Sequence, residues 1–149
     1  MGRPRRLPGA FLVLAGVILA LAGAAAIGVG LVNPALISAQ LPPDAEIDAP
    51  AVGGAAVALG TATVFLGVLH VVLAVALRLR IAIAATGAVV LASTMAILSL
   101  GFAVSALVSI ASGAAPAIYM VPAAVVLGAA VIGYAVVTVT VIGANRAPS

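Results

Sequence analysis

Three long stretches without a charged side chain dominate this sequence: residues 7–43, 49–77 and 81–145. A helix needs about 20 residues to cross about 30 Å of hydrocarbon at about 1.5 Å per residue. The first two stretches hold one crossing each. The third holds 65 residues and fits two, with the break at Ser112-Gly113-Ala114-Ala115-Pro116, where small and turn-forming residues interrupt the apolar run. Only 6% of the 149 residues are charged, against about 25% in soluble domains. So few charges cannot coat a water-exposed surface, which excludes a soluble globule. Barrel strands are excluded too, because they alternate polar and apolar residues and these runs are unbroken.

The sequence therefore predicts an all-α membrane protein: a four-transmembrane-helix antiparallel bundle forming a single integral membrane domain over 1–149. The spans are expected at about 9–32, 51–77, 81–111 and 117–143, with an extracytoplasmic loop at 33–50. Pro122 falls near the start of the last span, and the helix proper is expected to begin there. Asn33-Pro34, Pro42-Pro43 and Pro50 read as helix stops.

Orientation follows from the charges. Arg3, Arg5 and Arg6 precede the first span, Arg78 and Arg80 join the second to the third, and Arg146 follows the fourth. Four crossings put all six on one side and put Asp44, Glu46 and Asp48 on the other. The positive-inside rule then places both termini in the cytoplasm, and the arginine-only, alanine-rich usage suits a bacterial plasma membrane. A cleaved signal peptide ending at Ala22-Gly23-Ala24 is the competing reading of the N-terminus. Apolar character continues through Ile27, Val29, Leu31 and Val32 without a polar region, so a retained helix is expected.

Several chemistries are excluded. The chain has no cysteine, hence no disulfide, thiolate metal site or thiol redox centre. The net charge of +3 is spread over three places with 3% aromatic residues, which does not make a nucleic-acid surface. The three acids at period two read as a solvated loop, because a calcium loop brings more oxygen ligands and a turn glycine.

Glycine recurs at seven-residue intervals: Gly9, Gly16, Gly23 and Gly30 in the first span, and Gly53, Gly60 and Gly67 in the second, with Ala74 in phase. Gly87, Thr94 and Gly101 form a looser series in the third, and Ala124-x-x-x-Gly128 and Ala129-x-x-x-Gly133 mark the fourth. Small residues let membrane helices approach closely, and a seven-residue repeat keeps one stripe facing one neighbour. Gly16, Gly23, Gly30, Gly53, Gly60, Gly67, Gly87, Gly101, Gly128 and Gly133 are thus the expected packing positions.

His70 is the only ionisable side chain within the spans. With Thr86, Tyr134 and Thr138 it lies at a similar depth near the cytoplasmic side, and these four are expected to form one buried polar layer. Three readings of His70 stay open: a hydrogen-bonded structural imidazole, a ligand to a cofactor such as haem, and a proton relay. No catalytic residue, metal site or bound cofactor is expected. The predicted role is non-enzymatic, an accessory or assembly subunit or a homo-oligomer acting through helix contacts in the lipid bilayer. The alternatives are a small transporter, channel or export component active as an oligomer, and a cofactor-binding subunit of an electron-transfer complex.

Overall fold

The computed structural model describes residues 6–38, 48–113 and 117–146. All regular structure among them is helical: α1 (Arg6–Val32), the single turn α2 (Ala35–Ser38), α3 (Ala49–Arg78), α4 (Ala82–Ala111) and α5 (Ala117–Arg146). Four of these are long and apolar enough to cross a membrane, over Leu7–Val32, Ala49–Arg78, Ala82–Ala111 and Met120–Ala144. None has a polar face set against an apolar one; a helix that is hydrophobic all round suits lipid on its outer side. Asp44 and Glu46 lie outside the described residues.

Helix ends explain two departures from the sequence reading. Pro50 does not stop a helix but stands in the first turn of α3, where its missing N–H leaves no helical bond unmade. Asp48 caps that turn: the Ala51 N–H donates to its side-chain oxygen at 3.0 Å, satisfying one of the amides a helix start leaves over. Likewise α5 runs from Ala117 through Pro122 rather than starting there. The proline forfeits only the bond its own N–H would make to Ile118, close to the helix start.

The chain divides into two compact units. The first comprises Met1–Phe11 and Leu73–Ser149. Here α4 and α5 pack along one another, and α4 buries Ala84, Ala88, Leu91, Ala92, Ser99, Ala103 and Ala106. From α5, Tyr134, Val137 and Val141 are buried. The link from α3 to α4 is a tight left-handed turn. Ile81 N–H donates to the Ala76 carbonyl at 3.1 Å, and Arg80 N–H to that of Leu77 at 3.2 Å. This bond pair needs a left-handed residue, usually glycine, and Arg80 supplies it with φ of 60°. At the far end of α4, Gly113 does the same with φ of 70°, donating to Ile110 at 3.1 Å.

The second unit is Leu12–Val72, the greater part of α1 and α3 with α2 between them. Leu12 is fully buried here. After α1 ends, Pro34 folds back so that its Cβ lies 3.1 Å from where a Cβ on Gly53 would stand.

Candidate functional site

Within the second unit, the seven-residue glycine series of α1 and α3 meet each other. A Cβ added to Gly16 would stand 2.6 Å from the carbonyl oxygen of Gly67, and one on Gly67 would stand 2.5 Å from that of Gly16. The Gly23 and Gly60 pair gives 2.5 and 2.7 Å, and the Gly30 and Gly53 pair 2.8 and 2.7 Å. Each step of seven up α1 is a step of seven down α3. All three contacts are reciprocal and made by backbone, so at each glycine the hydrogen occupying the Cβ position lies beside the partner's carbonyl. Such Cα–H···O contacts recur where helices approach closely. No side chain larger than hydrogen fits at these six positions without moving backbone.

The remaining packing positions behave differently. Gly87 lies against Leu73, whose Cδ2 is 3.1 Å from its Cβ position. Gly133 is covered by the ring of Phe11, which meets the Tyr134 ring edge-on at a centroid distance of 5.1 Å and 89°. Gly101 and Gly128 have nothing within 4 Å of a Cβ position. In α4 the buried face is therefore the alanine series through Ala84, Ala88 and Ala92, while Thr94 and Gly101 are exposed. Sequence reading missed that series although its spacing of four is visible, because alanine is too abundant in the chain to stand out.

His70 belongs to the second unit, and Thr86, Tyr134 and Thr138 to the first. His70 is fully enclosed. Its Nδ1 lies 2.7 Å from the Leu66 carbonyl oxygen one turn back. A carbonyl only accepts, so Nδ1 carries the proton and, in the neutral ring, Nε2 holds the lone pair. The His70 Cβ lies 3.0 Å from the Cβ position of Gly16. In the first unit, Tyr134 is 3% exposed, and Thr138 is half-buried and donates to the Tyr134 carbonyl at 3.0 Å. Thr86 does not share this burial and is exposed.

The other hydroxyls of α3 look to their own backbone. Thr61 donates to Val57 and Thr63 to Leu59, each at 2.8 Å, which makes them inexpensive to hold in an apolar medium. Among the described residues, no group of three or more His, Cys, Asp or Glu could hold a metal ion.

Comparison with protein families, with curated proteins and with solved structures finds no match to this chain. Its class thus rests on the helices alone: among the described residues the regular structure is all helical, with four segments long and apolar enough to span a membrane.

Proposed function

We propose that the chain is a multi-pass protein of a bacterial plasma membrane, an antiparallel four-helix bundle with both termini cytoplasmic. Its role is non-enzymatic: it serves as an accessory or assembly subunit, or as a homo-oligomer, through helix contacts. One observation carries this reading. The glycines of α1 and α3 at seven-residue spacing are engaged within the chain, whereas Gly101 on α4 and Gly128 on α5 stand open. Open small residues on apolar helices are where another membrane helix can approach closely.

Native mass spectrometry in mild detergent tests it. The expected result is a fixed partner or a defined homo-oligomer, weakened in Gly101→Leu or Gly128→Leu. A wild-type chain that is monomeric and brings no protein with it overturns the reading.

The electron-transfer alternative needs a His70 nitrogen facing a cofactor. The enclosure of His70 and the bond of its Nδ1 to the Leu66 carbonyl favour the structural role instead. A transporter or channel needs a polar face open to water. The return of the Thr61 and Thr63 hydroxyls to their own helix speaks for lipid there.

A further inference from the structure

In the first unit, α1 begins at Arg6, and Gly9, one turn later on the same face, lies beside Arg78. The Arg78 Nε is 3.7 Å from the Gly9 Cβ position, and the Ala74 carbonyl is 3.9 Å from it. At these distances a Cβ would make ordinary contact, so Gly9 and the Arg78 side chain stand side by side. Two residues on, Arg80 holds the left-handed position of the turn, and both arginines are exposed. A glycine is the ordinary occupant of that position, yet here it carries a guanidinium. Arg78 and Arg80 thus stand at one end of α3, in its last turn and in the turn that follows.

Among the described residues, the acid stands far from them. Asp48 heads α3 and Arg78 closes it, 30 residues apart along the helix, which is about 45 Å. An anion from outside the chain can supply the counter-charge. At the end of a membrane-spanning helix, the anion at that depth is the lipid phosphate. All six basic residues are arginine, whose planar fork bonds a phosphate through two N–H groups, where lysine offers a point charge.

The geometry points to a headgroup site: Arg78 and Arg80, beside the start of α1, hold the phosphate of an anionic phospholipid. The site depends on the chain spanning a membrane and not on which way it faces. It is also independent of any protein partner.

The test reconstitutes the full chain in equimolar phosphatidylcholine and phosphatidylglycerol. Spin-labelled lipids then report the relative association of the two at the protein surface. Wild type is expected to favour phosphatidylglycerol. That preference falls about fivefold for each arginine removed in Arg78→Gln and Arg80→Asn, equivalent to about 1 kcal/mol each. Asparagine is chosen at Arg80 because it tolerates the left-handed backbone, so the turn survives loss of the charge. Helical content by circular dichroism confirms that the variants are folded. An unchanged preference in the folded double variant overturns the site, as does a wild type that does not favour phosphatidylglycerol. Displacement of the labelled lipid by inorganic phosphate overturns the lipid assignment in favour of a soluble anion.

Discussion

Gly23 and Gly60 meet backbone to backbone: the carbonyl oxygen of each lies 2.5–2.7 Å from the Cβ position of the other. Gly16 with Gly67 and Gly30 with Gly53 repeat the contact one heptad to either side. Because the obstructing atoms are backbone, no rotamer change relieves a substitution. Gly23→Ala and Gly60→Ala are each expected to destabilise by about 1–3 kcal/mol, the range for overpacking. Gly28 has open space around it, so Gly28→Ala is expected to be neutral or to stabilise by about 0.5–1 kcal/mol through helix propensity. Reversible unfolding in mixed micelles, followed by circular dichroism, measures all three. Equal effects at Gly23 and Gly28 would sink the seam.

The ring of Phe11 fills the notch left by Gly133 and meets Tyr134 edge-on. Gly133→Ala should expel the ring and cost about 1–3 kcal/mol. In a Phe11→Ala background the same change has nothing to displace. A double-mutant cycle is expected to return a coupling of about 1 kcal/mol or more. Additive effects would show that the ring and the notch act separately.

At Arg80 the left-handed backbone costs an L-residue about 1–2 kcal/mol relative to glycine. Arg80→Gly is therefore expected to raise stability by about 1 kcal/mol while weakening the preference for anionic lipid. Lower stability in the variant would show that the arginine supports the turn by contacts stronger than the strain.

His70→Ala empties a fully buried site and is expected to cost about 2–4 kcal/mol, as for other large-to-small core changes. The visible spectrum should be featureless in both wild type and variant. A visible band in the wild type that disappears in the variant would assign His70 to a cofactor.

The chain has no cysteine, so single-cysteine variants carry one label each. Asp48→Cys is expected to react with an impermeant maleimide in intact cells, and Arg80→Cys only after the membrane is opened. The reverse result would invert the proposed orientation. Asp48→Ala, by removing the α3 cap, should cost about 1 kcal/mol, read by the same unfolding measurement.

Much of the helical layout could be read from the residues, because hydropathy and charge are local properties and the limits of α1, α3 and α4 follow them. Partner choice is not local. A seven-residue spacing marks Gly23 and Gly60 as contact positions, but a slip of seven would pair Gly23 with Gly53 or Gly67 equally well. The register emerges only when the whole pair closes, with Pro34 over Gly53 at one end and Gly16 beside His70 at the other. The alanine face of α4 was hidden for a different reason: where nearly every residue is small or aliphatic, Ala84 and Ala88 carry no contrast. Asp48 was legible as a cap, since an aspartate just before Ala49-Pro50 is a helix-start signal; reading the prolines as stops obscured it. Nothing local announces the left-handed Arg80, because the usual glycine is missing there.

The seam between α1 and α3 also has an entropic consequence. A contact built from leucines would freeze their rotamers as the helices close, at about 0.5–1 kcal/mol each. Gly16, Gly23, Gly30, Gly53, Gly60 and Gly67 have no rotamers to lose. Inside a bilayer the backbone at these positions is already fixed as helix before the two helices meet. Closing the pair therefore requires alignment of two rods and little further ordering at the line where they touch.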